Sequence, residues 1–129
     1  MSTPDALNDK LQAHLLAIYQ ICLDNRVARA KEIAARLSVR PYAVTAALRA
    51  LGKMGLINYA PYDVITLTEA GEQQARQILQ RQHALRDFFI QVLEIDRDEA
   101  EQAAARLEYH MPQSILDHMI RFPRPRRGR

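Results

Sequence analysis

The stretch of this chain that most directly suggests chemistry runs from Glu108 to His110, because carboxylates and imidazoles are common ligands of transition metals. Two ligands on one face of an α-helix must be three or four residues apart. Glu108 and His110 are two positions apart, so on a helix they point about 200° away from each other. The stretch therefore fits three hypotheses: a metal site, a site that has lost ligands, or an ordinary acidic helix.

Composition limits the kind of protein that carries this stretch. A chain of 129 residues, 48% of them hydrophobic, can bury one core and at most a small second subdomain. No apolar run approaches the length of a membrane span, and the N-terminus lacks the pattern of a secretory signal. The single cysteine, Cys22, excludes an intramolecular disulfide and is typical of a reducing compartment. We therefore expect a folded cytoplasmic protein that is not bound to a membrane.

The net charge of +3 conceals an uneven distribution along the chain. Residues 1–62 carry eight Lys and Arg against four acids, whereas residues 63–120 carry five against eleven. The last nine residues add five arginines and no acid. We expect the basic first part to contact a polyanion. The arginine-rich end is either an arm that follows phosphates or a solvated, disordered tail, and the sequence leaves both open.

The first part of the chain has the pattern of a helix-turn-helix motif. Apolar residues at helical spacing predict a helix over roughly residues 6–24 and a short second helix around Ile33 and Leu37. The segment SVRP forms a tight connection to a third helix, whose first turn suits Pro41 because proline has no N–H to leave unpaired. The predicted inner face of this third helix is apolar: Val44, Ala47, Leu48 and Leu51.

The third helix of the chain is the second helix of this motif, the one that enters the major groove. Its outer face is therefore the predicted DNA-reading surface. Arginine suits this role, since its guanidinium can contact both phosphates and the edge of guanine. The candidate DNA-binding residues are Arg40, Pro41, Tyr42, Thr45 and Arg49.

After this helix the spacing of the apolar residues changes from the helical period to the two-residue period of a β-strand. The segment LINYAPYDVITLT alternates at Ile57 and Tyr59, and again at Val64 and Thr66, across a turn that contains proline. This predicts a β-hairpin, the wing of a winged helix-turn-helix. Asp63 falls at the tip, where DNA phosphates would repel a carboxylate. The acid favours an alternative in which the fold serves as a protein–protein adapter.

The remaining residues, up to residue 122, are predicted to be helical. We expect Thr68 to cap the first of these helices and either Asp96 or Asp98 to cap the second, which continues to Met111. Pro112 ends the second helix and begins a third. The apolar positions of the third helix are Ile115, Met119 and Ile120. Helices without an enclosed core of their own often pair with a second copy of the chain.

These patterns predict a mainly α protein in which an N-terminal winged helix-turn-helix is followed by a helical dimerisation domain. A dimer would present two recognition helices to double-stranded DNA with a palindromic operator. The predicted parts are the DNA-binding domain at residues 1–68, the dimerisation domain at 69–122 and a basic, disordered tail at 123–129.

The order of the elements and several short motifs resemble the metal-dependent repressors related to the diphtheria toxin repressor and the manganese transport regulator. The motifs extend from about Leu11 to Met119 and read HLLAIY, AKEIAARLSVRPYAVTAALRALGKMGLINYAPY, TLTEAGEQQA, QHALRDFF and ARLEYHM. The resemblance implies a homodimeric winged-helix regulator, most often a repressor, whose DNA affinity is raised by a divalent metal.

The metal ligands that the resemblance implies are only partly present. In the primary site, His83 and Glu108 match ligand positions of the family. The other ligand positions carry side chains that do not match: Ala13, Leu16, Ala105 and Tyr109. A modest change of register could bring His14 or His110 toward His83 and rebuild a different site. The alternative is that both are surface or interface histidines.

A second site of the iron-type members matches His83, Asp87 and Glu101. His83 and Asp87 are four residues apart and so share one helical face, which is sound ligand geometry. An imidazole with two carboxylates suits Mn, Fe or Zn. A histidine and an aspartate at this spacing are equally an ordinary surface pair, so the metal-responsive and metal-independent versions of the regulator stay open.

Enzymatic activity is not expected. The sequence contains no legible pairing of a nucleophile with a base, no glycine-rich phosphate loop and no three-ligand open metal site. The two function classes that remain are the DNA-binding regulator and the adapter, which differ in whether the chain binds DNA in a salt-dependent way.

Overall fold

A computed structural model describes residues 7–59 and 64–125. In chain order the elements are α1 (Asp9–Asn25), α2 (Ala30–Leu37), α3 (Pro41–Lys53), β1 (Ile57–Tyr59), β2 (Ile65–Leu67), α4 (Glu69–Gln91), α5 (Arg97–Leu107), a 3-10 turn (Glu108–His110) and α6 (Gln113–Arg121). The predicted mainly helical class is therefore confirmed. No described helix is long and apolar enough to cross a membrane.

The chain divides into two compact units, the first ending at Arg76 and the second beginning at Gln77. In the first unit, the side chain of Asn8 caps α1 by accepting a hydrogen bond from the N–H of Leu11 at 2.8 Å. Ser38 ends α2 in a left-handed conformation, φ 55°, which makes the tight connection to α3 possible. α1 packs against both α2 and α3. The fully buried residues of these helices include Leu15, Ile18, Ile33, Val44, Leu48 and Leu51.

The predicted hairpin is confirmed, and its second strand joins it to the helices. β1 and β2 are antiparallel, with Tyr59 opposite Ile65. Ile65 is fully buried, and its backbone also pairs with that of Ala28. Val64 is exposed, so the alternation predicted at Val64 and Thr66 is displaced by one position. The pairing with Ala28 fixes Ile65 on the inner face, and a shift of one residue turns every strand side chain to the other face.

Residues 60–63, which include Asp63, lie outside the described residues. The predicted repulsion between Asp63 and phosphates therefore stays a prediction. The hypothesis of a protein–protein adapter depends on the same acid, so it also stays a prediction from the sequence.

The beginning of α4 is fixed by Thr68, as predicted. The Thr68 hydroxyl accepts a hydrogen bond from the N–H of Gly71 at 3.0 Å and donates to the carbonyl of Gly55 at 2.6 Å. Acidic residues at positions 69 and 72 lie in the first turn, where the helix dipole favours negative charge.

The second unit has its own apolar core. Its buried residues come from the second half of α4, from α5 and from α6: Leu85, Phe89, Ala100, Ala104 and Leu116. The carboxylate of Asp96, one of the two predicted caps, accepts from the N–H of Asp98 at 3.1 Å at the start of α5.

On α6 the buried residue is Leu116, which the sequence analysis did not single out. Ile115 and Ile120, predicted as the apolar face, are 49% and 48% exposed, whereas Met119 is half-buried. In a helix of nine residues only one narrow face can be covered within the unit, so the other apolar positions remain on the surface.

The predicted helix that runs to Met111 is too long at its C-terminal end. α5 ends at Leu107, and Glu108–His110 form a 3-10 turn. Met111 is extended, with φ −86° and ψ 116°, because the residue before a proline is disfavoured in the helical region. Glu108 and His110 therefore do not lie on an α-helix, and the separation of about 200° that an α-helix would give them does not apply.

Candidate DNA-binding surface and metal-ligand positions

The outer face of α3 is open to solvent, on the side away from its buried stripe. Arg40 precedes the helix and Arg49 lies near its middle, and both are exposed. The ion pairs and side-chain hydrogen bonds among the described residues involve neither guanidinium. In the described part of the chain, both cationic groups are therefore unneutralised and able to meet an anionic ligand.

The other three predicted DNA-binding residues lie at the N-terminal end of the same helix. Pro41 is its first residue and is exposed, as is Tyr42, whose side chain is 68% accessible. Thr45 is half-buried, and its hydroxyl donates to the carbonyl of Pro41 at 3.2 Å. The structure thus places the five residues along one end and one side of α3, with Thr45 the least accessible.

A surface groove of about 890 Å³ runs beside α3 within the first unit. Its polar lining comes from Arg49, from Tyr59 of the predicted hairpin, and from two residues that the sequence patterns did not indicate, Lys53 and Asn58. Asn58 lies on β1, and its amide donates to the hydroxyl of Thr66 across the hairpin at 3.1 Å. Sequence patterns could not find this set, because the hairpin, and not local spacing, places β1 beside the end of α3.

The predicted metal ligands of the second unit are placed as follows. His83 is exposed on α4 and Asp87, four residues later, is half-buried. Asp87 accepts from the Nε of Arg86 at 3.0 Å, and Glu101 on α5 accepts from Arg97 at 3.2 Å. The described part of this unit contains no group of three His, Cys, Asp or Glu side chains that could hold a metal ion.

Glu108 is the one buried acid among the described residues, at 3% exposure. Its carboxylate accepts a hydrogen bond from the Nε of Arg81 at 2.9 Å. Arg81 belongs to α4 and is 27 residues away in the sequence, so no spacing rule pointed to the pair. Where the resemblance implies a metal, the structure therefore has a guanidinium as the partner of this carboxylate.

The remaining candidates do not complete a ligand set. The rings of His110 and Tyr109 meet edge to face, with centroids 5.1 Å apart, and both residues are exposed. In the first unit Ala13 is exposed and Leu16 half-buried on α1. His14 is 2% exposed, and its Nδ1 lies 2.8 Å from the carbonyl of Lys10.

The donor set of the second unit therefore does not fit a divalent metal. Such an ion needs several neutral or anionic ligands that converge on one point. Here each of three carboxylates is engaged by a different arginine, and the imidazole of His83 is exposed.

Comparison with known proteins relates both units to one kind of regulator. An HTH-type transcriptional regulator of Methanocaldococcus jannaschii is 32% identical over 117 residues, which cover 90% of this chain and 94% of that protein. The MntR regulator of Lysinibacillus sphaericus is 29% identical over 109 residues, covering 84% and 78% respectively.

A solved structure supports the same fold. The structure of a manganese-dependent transcriptional repressor in complex with manganese matches with a TM-score of 0.73 at 24% identity. The match covers 88% of this chain and 53% of that one, so this chain spans about half the length of that structure. At this identity the likeness shows the fold.

Family models match the two halves of the chain in order. Residues 6–65 match the N-terminal DNA-binding domain of iron-dependent repressors, and residues 68–124 match their metal-binding and dimerisation domain. The family consists of transcriptional regulators and not of enzymes, as the sequence analysis predicted. The chain belongs to the iron-dependent repressor family, the diphtheria toxin repressor and MntR type of metal-dependent transcriptional regulator.

Proposed function

We propose that this chain acts in the cytoplasm as a homodimeric repressor that binds a palindromic DNA operator through α3. The observation that carries the proposal is the outer face of α3, where Arg40 and Arg49 are exposed and bound to no described side chain. DNA supplies the phosphates and base edges that such arginines bind. A dimer presents two copies of α3, which suits a two-fold symmetric site.

The residues of α3 take different roles in this proposal. Side chains on the outer face of a recognition helix reach base edges, so Tyr42, Thr45 and Arg49 are assigned to reading bases, with Arg49 the main donor. Arg40, which precedes the helix, contacts a phosphate. Pro41 orients the first turn and makes van der Waals contact only, because it has no N–H.

The groove beside α3 extends this surface toward the hairpin. Lys53 is exposed at the end of α3, and Asn58 is exposed on β1. A compact ammonium and an amide are suited to phosphate oxygens, which position a protein on DNA without reading its sequence. We therefore assign Lys53 and Asn58 to the DNA backbone.

Dimerisation is supported by apolar surface on the second unit. Six of its large apolar side chains are between 38% and 53% exposed: Leu93, Leu107, Tyr109, Ile115, Ile120 and Phe122. Apolar residues left uncovered in this number favour association with a second copy of the chain. Sedimentation analysis at micromolar concentration should give a mass twice that of the 14.8 kDa chain.

The DNA-binding surface is tested by selecting duplexes from a random pool and measuring affinity by fluorescence anisotropy at several salt concentrations. Arg49→Ala should weaken binding to the selected duplex by about tenfold or more and reduce discrimination against mismatched duplexes. Lys53→Ala should weaken binding to all duplexes alike and lower the salt slope by about one.

Arg97→Ala is the matched control, because it removes the same charge from an exposed ion pair of the second unit. It should leave specificity unchanged. Equal effects of Arg49→Ala and Arg97→Ala would mean that α3 is not the reader of DNA. Selection of non-palindromic duplexes would contradict the symmetric operator while leaving DNA binding intact.

A further inference from the structure

The ion pair between Arg81 and Glu108 differs from the others in the described part of the chain. The Glu108 side chain is 4% exposed and that of Arg81 is 20% exposed. In the other three pairs every partner is between 22% and 64% exposed. Exposed pairs contribute little because water screens them, whereas a desolvated carboxylate requires a counter-charge.

Arg81 is also held by neutral acceptors. One Nη donates to the backbone carbonyls of Glu108 and Met111, at 3.1 and 2.5 Å, and the other bonds the side chain of Gln113. The guanidinium thus joins α4 to the 3-10 turn and to the first residue of α6. Its planar set of donors matches acceptors that come from three directions.

A metal at Glu108 would have to displace this guanidinium. A divalent ion and a guanidinium on the same carboxylate repel each other, so the ion could bind only after Arg81 had left. Departure of Arg81 would strip the donors from two backbone carbonyls and the amide of Gln113. The nearest replacement ligands are not grouped in the described part of this unit.

We propose that Arg81 supplies the positive charge at Glu108 permanently, so that this regulator folds and binds DNA without a divalent metal on that carboxylate. The statement about DNA rests on the proposed function, whereas the statement about Glu108 does not. The chain then keeps the architecture of a metal-dependent family, with the guanidinium of Arg81 in place of a bound metal ion at Glu108.

The first arm of the test uses the full chain stripped with a chelator and then titrated with Mn²⁺, Zn²⁺ or, under anaerobic conditions, Fe²⁺. Calorimetry measures binding, and thermal unfolding measures stabilisation, since an ion that binds the folded chain raises its Tm. We expect no increase in Tm that depends on Glu108. We also expect the Kd for the selected duplex to agree within about twofold with and without chelator.

The second arm tests the ion pair itself by unfolding. Arg81→Met should lower the Tm because it removes the guanidinium that is paired with a buried carboxylate, and Glu108→Gln in the same chain should restore part of the loss. Arg97→Met, in the exposed pair with Glu101, should leave the Tm unchanged. If Arg81→Met does not fold, recovery of a folded chain in the double variant gives the same information.

A rise in Tm with Mn²⁺ that disappears in Glu108→Gln would overturn the proposal, because the ion would then occupy the carboxylate assigned to Arg81. A rise that survives in Glu108→Gln places the ion elsewhere and leaves the role of Arg81 intact. If no duplex binds with or without metal, the proposed function fails, yet both unfolding arms still decide the role of Arg81.

Discussion

Gly71, in the first turn of α4, lies so close to the backbone of Leu56 that a Cβ on Gly71 would overlap the Leu56 carbonyl oxygen. The same carbonyl accepts a hydrogen bond from the N–H of Thr68 at 3.1 Å. The Thr68 hydroxyl in turn links the N–H of Gly71 to the carbonyl of Gly55. The start of α4 is therefore attached to the segment between α3 and β1 by direct backbone approach.

Gly71→Ala is expected to destabilise the protein, although alanine is the better helix former. The added methyl group meets a backbone oxygen that cannot move without breaking the bond to Thr68. The cost of such overpacking, about 1–3 kcal/mol, exceeds the gain of up to about 1 kcal/mol in helix propensity. Urea unfolding followed by circular dichroism measures the difference.

Gly52→Ala is the control for this variant. Gly52 also lies in a helix, α3, but a Cβ built there meets no atom within 4 Å. Its replacement should therefore raise the free energy of unfolding by about 0.5–1 kcal/mol. Stabilisation by both substitutions would show that the contact between Gly71 and Leu56 relaxes at no cost.

The fold was largely predictable from the sequence because the helices carry their own signals. Apolar spacing predicts α1 to α4, and the cap predicted at Thr68 is confirmed by its hydrogen bonds. The predictions are wrong where a residue distant in the sequence decides which side chains are buried. Ile65 is buried because its backbone pairs with Ala28, and on α6 the core of the second unit covers Leu116 in preference to its apolar neighbours.

The candidate site was less predictable for the same reason. The exposed residues of α3 follow from its buried stripe, so helical spacing alone identified Arg49. The partner of Glu108 is an arginine on another helix, and no pattern within either helix reveals it. Resemblance to a metal-dependent family predicts ligands among carboxylates and histidines, whereas the side chain that pairs with Glu108 is the cation Arg81.

Cys22 is expected to be a poorly reactive thiol. Burial raises the pKa of Cys22, and the nearby carboxylate of Glu32 raises it further. Its Sγ also lies 3.8 Å from the carbonyl of Ile65, an acceptor that favours the protonated form. At pH 8 the thiolate fraction should be below that of free cysteine, so alkylation by iodoacetamide should be slower than that of glutathione.

The pH dependence of this reaction tests the cause. Glu32→Gln should shift the midpoint of the pH–rate profile downward, whereas Asp24→Asn, an equal neutralisation on α1, should not. Because the folded state holds the thiol proton more tightly, the free energy of unfolding should fall as pH rises above about 8.5. A midpoint at or below that of glutathione would contradict the effect of burial.

His14 is a polar residue whose replacement should stabilise the protein. It is 2% exposed, and its Nε2 has no hydrogen-bond partner among the described residues. A buried polar atom left unpaired costs about 1–3 kcal/mol, which leucine of similar size avoids. His14→Leu should therefore raise the Tm by several degrees, measured by differential scanning calorimetry.

His118→Leu provides a matched comparison for His14→Leu. The Nδ1 of His118 lies 2.8 Å from the carbonyl of Ser114, the same contact that His14 makes with Lys10, but His118 is exposed. Its replacement should change the free energy of unfolding by less than about 0.5 kcal/mol. A fall in Tm for His14→Leu would mean that Nε2 has a partner outside the described residues.

The arginine-rich end is expected to combine a structural arginine with DNA-contacting ones. Arg124 donates to the side chain of Gln91 at 2.8 Å and to the carbonyl of Met119 at 3.2 Å, and it lies over the ring of Phe88 at 5.7 Å. Residues 126–129, with three further arginines, lie outside the described residues. A chain truncated after Pro125 keeps the contacts of Arg124 and loses the other three charges.

This truncation should lower the slope of log affinity against log salt by up to about 3, because each lost phosphate contact accounts for about 0.9. The Tm should not change. Truncation after Phe122 should lower the Tm as well, since it also removes the contacts of Arg124 with α4 and α6. An unaltered salt slope in both truncated chains would mean that the arginines of the tail do not reach DNA phosphates.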